Sequence, residues 1–351
     1  MRLNALVAPG VEVRAFPEDA HQFVMTDVAR FRGYDVVIDC TASHLVQMKL
    51  ERDWISFEGR TPPIVSLVTD ATAQYGLCVV SGADSVGGPW DSYVRLKHRF
   101  CTDGNRKELS AAFYDPALSK RLFQPEPGCS DATFSGSTAD AAVIAGAALN
   151  LACLHGLVQG KEAALAFGAP AAPSPATAVL SVDEMDEHRA GRYRVRIARR
   201  VYREARAWVQ QNPRLRTPAH ETGGLLWGMW DDATGIIWVF DASGPPPDSR
   251  HNPGHFLCGV AGTAAEHQKR ALRSQGTSGF IGFWHTHPDA ASRQSVVDIE
   301  GMAGLVSAVG ENQKRALMLI FGRQGVQATA GIYVYESDAL TSASEYLQVG
   351  S

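Results

Sequence analysis

Short apolar runs alternate with stretches of helical spacing in the first half of the chain. Four runs rich in β-branched and other apolar residues predict strands: Val11–Phe16, Asp35–Cys40, Pro63–Val68 and Gly76–Val80. Two stretches predict helices, Ser43–Glu51 and the longer Thr138–Val158, which Ser137 caps. Strands that alternate with helices predict an α/β fold built on a largely parallel sheet.

The second half repeats this alternation after a segment rich in alanine and proline. Residues 167–178 place three prolines among alanines, a composition typical of a semi-rigid linker. We therefore predict two α/β domains, residues 1–166 and 179–351. The elements predicted downstream are the strand Tyr193–Ile197, the helix Ala198–Gln211, the strands Gly223–Trp230 and Gly235–Phe240, the helix Thr263–Ser274, the strand Gly279–Trp284, the helix Ser295–Val309, and the strands Leu317–Phe321 and Gly331–Tyr335.

The composition is that of a globular protein, with 45% hydrophobic and 20% charged residues and a net charge of −4. The most basic stretch, Arg192–Arg206, alternates arginine with apolar residues, which predicts a solvated face and not a nucleic-acid patch. The apolar run Ala141–Leu154 is shorter than a bilayer requires and predicts a buried helix. We expect neither a nucleic-acid partner nor a membrane.

The six cysteines are widely spaced, and none forms a Cys-x-x-Cys pair, which argues against a zinc ribbon or a redox motif. Cys40 and Cys78 lie in apolar runs, where a free thiol acts as a small hydrophobic group. The N-terminus has no basic segment followed by an apolar core, so no signal peptide is predicted. These features predict a cytoplasmic location.

Two histidines, His285 and His287, end an apolar strand. Residues two apart on a strand point to the same face, so both imidazoles are available to one ion. Ser295 and Asp298 follow, three apart on one face at the start of a predicted helix, and Asp298 supplies a third ligand. Two histidines and one carboxylate leave a fourth position open for water, which is how catalytic zinc sites are built. Zinc lowers the pKa of that water and polarises a scissile carbonyl.

A hydrolytic zinc site also needs a base, and Glu221 is the candidate. It stands just before Gly223 and Gly224 at the start of a predicted strand, where it comes to lie beside the end of a neighbouring strand. A base in this place takes a proton from water and passes it to the leaving amine. The hydroxyl of Ser295 is predicted to donate a hydrogen bond to the developing oxyanion.

This set of residues, from Glu221 to Asp298, is similar to the complete JAMM pattern of the JAB/MPN family, and the similarity covers roughly residues 192–336. The resemblance implies the family's cytidine-deaminase-like α/β fold and a single zinc ion. It also implies the roles of five residues: His285, His287 and Asp298 as zinc ligands, Glu221 as general acid and base, and Ser295 as oxyanion stabiliser.

The family contains deubiquitinating enzymes, enzymes that cleave ubiquitin-like proteins, and bacterial processing proteases. The resemblance therefore implies a zinc metalloprotease that cuts a peptide or isopeptide bond at the C-terminus of a ubiquitin-like or sulfur-carrier protein, with conjugation-pathway proteins as further partners. Two alternatives stay open. One is a non-catalytic module that binds a ubiquitin-like protein, and the other is one part of a split adenylating enzyme.

The first half resembles the ThiF/MoeB-type enzymes that activate ubiquitin-like proteins, through Asp35–Ser43 and the later Pro125–Ser130 segment. The resemblance covers roughly residues 1–160 and implies an incomplete Rossmann-like domain. The glycine-rich phosphate loop is missing, and Ala42 stands where an Asp holds magnesium, so we expect no adenylation by this chain. Cys129 is either a thioester-forming cysteine or a structural thiol.

Other residues near the predicted site have two interpretations each. His251 and His255 either line a substrate groove or lie solvated in a loop, and His220 is a candidate partner of the base. Three tryptophans are predicted as core residues in preference to substrate platforms: Trp227, Trp230 and Trp284.

Overall fold

The computed structural model describes residues 10–26, 31, 33–54, 62–82, 85–104, 107–114, 136–158, 162–168, 178–180, 182–211, 220–308, 315–324, 327–336 and 345–348. Both halves are mixed α/β, which confirms the predicted fold class. The helices are α1 (Ala20–Thr26), α2 (His44–Trp54), α3 (Pro89–Thr102), α4 (Lys107–Tyr114), α5 (Thr138–Ala152), α6 (Arg199–Gln211), α7 (Thr263–Arg273) and α8 (Val296–Ala308). The strands are β1 (Val37–Asp39), β2 (Ile64–Thr69), β3 (Tyr75–Ser81), β4 (Ala163–Gly168), β5 (Ala178–Leu180), β6 (Met185–Ala190), β7 (Tyr193–Ala198), β8 (Gly223–Asp231), β9 (Ile236–Ala242), β10 (Arg250–His251), β11 (Phe256–Leu257), β12 (Gly279–Thr286), β13 (Arg315–Gln324), β14 (Gln327–Glu336) and β15 (Glu345–Gln348).

The first sheet has the strand order β1-β2-β3-β4-β5, and within it β1 and β2 run parallel while the other neighbouring pairs are antiparallel. The prediction of a largely parallel sheet was therefore wrong. Strand β3 follows β2 after residues 70–74, too few for the crossover of about a dozen residues that parallel strands need. Asp70 closes this hairpin, because its Oδ1 accepts hydrogen bonds from the backbone N–H groups of Gln74 and Tyr75, each at 2.7 Å.

Most of the elements predicted in the first half are present. Of the four predicted strands, Val11–Phe16 forms no strand, and the remaining three correspond to β1, β2 and β3. The first predicted helix corresponds to α2. Cys78 is buried in β3 as predicted, whereas Cys40 lies just after β1 and is exposed. Cys129 and its motif lie outside the described residues.

The apolar helix α5 packs on one face of the first sheet. Ser137 caps it as predicted, because its Oγ accepts hydrogen bonds from the N–H groups of Ala139 and Asp140. A π-helical turn, Cys153–Leu157, extends it, so that Thr138–Leu157 spans 20 residues and is the one described helix long and apolar enough to cross a membrane. The prediction that this run is too short for a bilayer was therefore wrong. Only 22% of the apolar window of this helix is buried, so the predicted burial is partial. The residues that face the sheet are Ile144, Ala148 and Ala152.

The second sheet has the order β15-β14-β13-β12-β8-β9-β7-β6 and curls until β14 and β15 contact β6. Strand β12 runs parallel to β13 and β7 parallel to β9, while the other pairs are antiparallel. Across the seam the hydroxyl of Tyr193 in β7 donates to Glu336 Oε1 in β14 at 2.6 Å. The strands and helices predicted in this half are all present, and β6, β10, β11 and β15 are additional.

Strands β4 and β5 both belong to the first sheet. Strand β5 pairs with β4, which pairs in turn with β3. The first sheet thus continues beyond the linker predicted at residues 167–178, and the chain passes to the second sheet after Leu180. Residues 169–177, with the three prolines, lie outside the described part of the chain. The division into two separately folding domains stays a prediction.

Helix α3 packs between the two sheets and belongs to the core of each. Its Leu96 and Phe100 pack with side chains of β3 and β4 in the first sheet. Val94 joins the core built by β7 and β9 in the second. His98 stacks on Phe240 of β9, with ring centroids 4.0 Å apart. Helix α3 therefore contributes side chains to the core of each half.

A group of buried charges lies at this contact, and we name Glu51, Asp91, Arg95 and Arg196 the inter-sheet cluster. Arg196 in β7 is fully buried and pairs with Glu51 Oε1 and Asp91 Oδ1, each at 2.8 Å. Arg95 pairs with Asp91 at 2.7 Å. The indole N–H of Trp238 donates to Asp91 Oδ1 at 2.7 Å. Each buried carboxylate thus faces a guanidinium.

Candidate metal centre

The start of β8 and the end of β12 lie side by side in the middle of the second sheet. The register pairs Gly223 with His285 and Gly224 with Trp284. A Cβ atom on Gly223 would lie 2.2 Å from the carbonyl oxygen of Trp284, so this approach requires glycine. The close approach brings Glu221, two residues before β8, next to the histidine at the end of β12.

The two histidines of the predicted motif face each other in the interior. His285 and His287 are 6% and 8% exposed, and their Nε2 atoms are 3.1 Å apart. The Nδ1–H of His287 donates to the carbonyl oxygen of Ala291 at 3.0 Å. This bond places the ring proton on Nδ1 and leaves the Nε2 lone pair directed at the neighbouring ring. Two facing imidazole nitrogens are suited to bind one metal ion.

Asp298 is positioned by the way in which α8 begins. The Oγ of Ser295 accepts a hydrogen bond from the N–H of Asp298 at 3.2 Å, and Asp298 Oδ2 accepts one from the N–H of Ser295 at 2.7 Å. This reciprocal pair is a capping box with aspartate in the place of glutamate. It holds Asp298 Oδ1 3.2 Å from His285 Nε2 and Oδ2 3.7 Å from His287 Nε2.

The charge of Asp298 is stabilised by the same contacts. Burial raises the pKa of the Asp298 carboxyl. The hydrogen bond and charge of His285 and the hydrogen bonds from Ser295 lower it by more than burial raises it, to about 2. The carboxylate is therefore ionised at neutral pH, the state in which it binds a cation.

Glu221 lies at the edge of the histidine pair, with Oε1 3.9 Å from His287 Nε2. The β10–β11 hairpin holds its backbone: the N–H of Glu221 donates to Asn252 O at 2.9 Å, and its carbonyl accepts from His251 Nδ1 at 3.2 Å. Burial raises the pKa of the Glu221 carboxyl, and this outweighs the opposing charges of the two histidines. A raised pKa makes the carboxylate a better proton acceptor.

Glu221, His285 and His287 form a candidate metal site, since one ligand atom from each lies within 4.8 Å of the other two. The structure also brings the two remaining residues of the sequence pattern to this place: Asp298 contacts both histidines, and Ser295 is exposed beside it. The distances do not identify the metal. The division of the five residues into ligands and catalytic groups stays a prediction.

The support that the hairpin gives to Glu221 was not predicted from the sequence. His251 and His255 were expected either to line a groove or to lie solvated in a loop. In the structure, His251 bonds the backbone of Glu221, and the side-chain amide of Asn252 donates to His255 Nε2 at 3.0 Å. The Asn-Pro-Gly sequence at 252–254 indicated a turn, but nothing in it indicated that the turn would meet the strand start at residue 221.

The tryptophans near the site belong to the core, as predicted. Trp227 and Trp284 are fully buried, and Trp230 packs against the same core while partly exposed. The indole N–H of Trp227 donates to Ser243 Oγ and that of Trp284 to Ser243 O, both at 2.9 Å. These bonds tie β8 and β12 to the loop after β9.

Comparison of the chain with protein-family models and with curated proteins gave no match. The functional assignment therefore depends on the residues of the site.

Proposed function

We propose that this chain is a zinc-dependent metallopeptidase or isopeptidase of the JAB/MPN type, which hydrolyses a peptide or isopeptide bond. The spacing of the ligand atoms carries the proposal. His285 Nε2 lies 3.1 Å from His287 Nε2 and 3.2 Å from Asp298 Oδ1. Ligand atoms bonded at about 2.0–2.1 Å to a tetrahedral zinc ion lie roughly 3.3 Å apart. The side chains therefore fit one zinc ion with little rearrangement.

The chemistry of these donors also favours zinc. Two imidazoles and one carboxylate are a ligand set of catalytic zinc sites, with a fourth position left open. When bound, zinc would supply a Lewis acid that activates water and polarises the scissile carbonyl. Glu221 takes a proton from the attacking water and delivers it to the leaving nitrogen. The bond from His287 to Ala291 and the capping box around Asp298 keep two of the ligands in orientation.

Ser295 has two tasks in this proposal. In the structure its hydroxyl donates to Asp298 Oδ2 at 2.7 Å, which helps to hold the carboxylate. The N–H of Ser295 bonds the same oxygen at 2.7 Å. The carboxylate therefore stays in place when the exposed hydroxyl turns to donate to a developing oxyanion.

The proposed substrate is the C-terminal segment of a ubiquitin-like or sulfur-carrier protein, and the proposed compartment is the cytoplasm. The pattern of site residues supports the substrate, and the widely spaced cysteines support the compartment. Val296 and Val297, next to Ser295 at the start of α8, are 69% and 63% exposed. Exposed apolar side chains beside a reactive site supply contacts for an extended peptide.

Measurement of zinc content tests the ligand assignment. The purified full chain is expected to carry about one zinc ion, and His285→Ala or His287→Ala to lose it. His255→Ala is the matched control, because this exposed histidine lies near the site outside the proposed ligand set. Elemental analysis that finds full zinc in either ligand variant contradicts the assignment.

A cleavage assay tests the reaction. A ubiquitin-like protein fused through its C-terminus to a short peptide is incubated with the wild type and with Glu221→Gln. The variant keeps the shape of the side chain but cannot accept a proton, so it should retain zinc while turnover falls roughly a hundred- to ten-thousandfold. A variant that loses zinc shows Glu221 to be a ligand, and one that cleaves normally shows that the base lies elsewhere.

A further inference from the structure

The loop between β12 and α8, residues 288–295, carries contacts to both His287 and Asp298, and we name it the site loop. It presents Ala291 O to the Nδ1–H of His287 and Ser295 to the carboxylate of Asp298. Its course therefore decides the orientation of two of the proposed ligands. The loop has no helix or strand over residues 288–295, so contacts from other elements must fix its course.

A buried tyrosine of β14, Tyr333, bonds the backbone of the site loop. Tyr333 is 2% exposed, and its hydroxyl donates to the carbonyl oxygen of Ser292 at 2.8 Å. The same hydroxyl accepts a hydrogen bond from the N–H of Gln294 at 3.3 Å. One side-chain oxygen thus satisfies two backbone groups in the middle of the site loop. Tyr335, two residues further along the same face, donates to the side-chain carbonyl of Gln294.

The backbone of the site loop lies directly on two glycines, one in β13 and one in the neighbouring β14. A Cβ atom on Gly331 would lie 2.2 Å from Ser292 O, and one on Gly322 would lie 2.4 Å from Ser292 N. The N–H of Arg323 donates to Ala290 O at 2.7 Å. Side chains larger than hydrogen would push the loop away, so the glycines create the space in which Tyr333 reaches it.

We infer that Tyr333 is a positioning residue for the metal ligands His287 and Asp298. By holding Ser292 O and Gln294 N it sets where the site loop delivers Ala291 and Ser295. The inference rests on the proposed zinc site and assigns to it a residue that the ligand pattern does not contain. Partners that orient metal ligands typically change metal affinity about 10–100-fold when they are removed.

The test compares Tyr333→Phe with a matched variant, Tyr193→Phe, in the full chain. Tyr193 is also buried, at 3% exposed, and its hydroxyl donates at 2.6 Å to Glu336, the last residue of β14 and five residues beyond Gly331. Each substitution removes one buried hydroxyl and leaves the ring. A purely structural role predicts a similar fall in Tm for both proteins and no difference in metal binding.

Zinc affinity is measured by competition with a chelator, and ligand geometry by the visible absorption of the Co²⁺-loaded protein. We expect Tyr333→Phe to weaken zinc binding at least about tenfold and to alter the Co²⁺ spectrum, while Tyr193→Phe leaves both as in the wild type. Tyr333→Phe with wild-type zinc affinity and spectrum overturns the inference.

Two further outcomes are decided in the same experiment. A wild type that binds neither zinc nor Co²⁺ contradicts the proposed function itself, which separates that failure from a failure of the inference. If Tyr333→Phe does not fold, Gly331→Ala takes its place, since a Cβ atom there would lie 2.2 Å from Ser292 O and would move that carbonyl away from the Tyr333 hydroxyl. Weaker zinc binding by Gly331→Ala supports the inference, and zinc binding as in the wild type overturns it.

Discussion

The inter-sheet cluster and the candidate metal centre are both buried groups of ionisable side chains, but their charges are balanced differently. In the inter-sheet cluster a guanidinium meets each carboxylate, as Arg196 does with Glu51 and Asp91 at 2.8 Å. At the metal centre the carboxylates of Glu221 and Asp298 meet imidazole rings, whose Nε2 atoms face each other at 3.1 Å. Two ring nitrogens at this distance need a proton or a metal ion between them.

This difference distinguishes a structural cluster of charges from a functional one. Where cations and anions match, no ligand is required, and the loss of one member leaves a buried charge without a partner. Where imidazoles and carboxylates converge, a metal ion can take the place of the shared proton, and the loss of one member should lower the affinity for that ion. The two clusters should therefore respond to substitution in opposite ways.

The largest effect on stability is expected from Arg196→Met. The substitution leaves Glu51 and Asp91 buried without their shared cation, which typically costs about 3–5 kcal/mol of unfolding free energy. Urea denaturation of the full chain measures it. Arg203→Met on the exposed face of α6 is the control and should change the unfolding free energy by less than about 0.5 kcal/mol. An Arg196→Met protein as stable as this control contradicts the structural role of the cluster.

The candidate metal centre is tested by Asp298→Asn, which should change zinc affinity strongly and stability little. Asparagine keeps the shape of the side chain, and its amide oxygen can still accept from the N–H of Ser295, so the metal-free protein should lose less than about 2 kcal/mol of stability. Zinc affinity should fall by more than the 10–100-fold typical of a group outside the ligand set, because a charged ligand is lost. Chelator competition and urea denaturation are run on the same samples. A large loss of stability with unchanged zinc affinity would show that Asp298 has a structural role, like the inter-sheet cluster, and does not bind the metal.

Four residues of the candidate metal centre could be grouped from the sequence because the spacing within each pair is local. His285 and His287 lie two apart on one strand, and Ser295 and Asp298 three apart at a helix start, so secondary structure alone brings each pair together. The place of Tyr333 was not predictable in this way. It depends on β14 pairing with β13, and on the site loop lying over that pair.

Helix α3 and the inter-sheet cluster were also missed, and Arg196, predicted as part of a solvated face, is fully buried. Helix α3 turns apolar residues toward two different sheets and buries Asp91 and Arg95 between them, so it lacks the single apolar stripe by which a surface helix is found. The direction of β3 was predicted wrongly because the turn at 70–74 was not read as a hairpin. The contacts of α3 lie outside the local sequence window, whereas the β2–β3 turn is local and is closed by Asp70.

His98 offers a way to probe the core around α3 with pH. The hydroxyl of Thr277 donates to Ser274 O at 2.8 Å, so the ring Nδ1–H of His98 donates to Thr277 and its Nε2 accepts from Arg200 at 3.1 Å. The ring is therefore neutral. Burial lowers the pKa of His98 to about 3, and the charges of nearby arginines lower it in the same direction.

Stability should accordingly fall as the pH falls. The ordinary pKa of histidine is about 6.5, so below that pH the unfolded chain binds a proton that the folded protein excludes. Between pH 7.5 and pH 5 this linkage lowers the unfolding free energy by about 2 kcal/mol. His98→Gln removes the titrating group. Urea denaturation at both pH values should therefore show a pH dependence smaller by that amount in the variant, and an identical dependence in both proteins would mean that folding does not lower the pKa of His98.

The smallest effect on stability is expected from Ser295→Ala. Removal of the Oγ costs about 1 kcal/mol, as for other N-cap residues, and zinc should be retained because the N–H at position 295 still bonds Asp298 Oδ2. Turnover distinguishes the two tasks of the hydroxyl. If it donates to the developing oxyanion, turnover of the fusion substrate falls roughly a hundred- to a thousandfold. We expect this larger loss, because the hydroxyl is exposed and its bond to Asp298 duplicates the one made by the backbone. Ser295→Thr, which keeps a hydroxyl, should recover much of the activity, and a Ser295→Ala protein with near wild-type turnover would restrict the residue to its capping role.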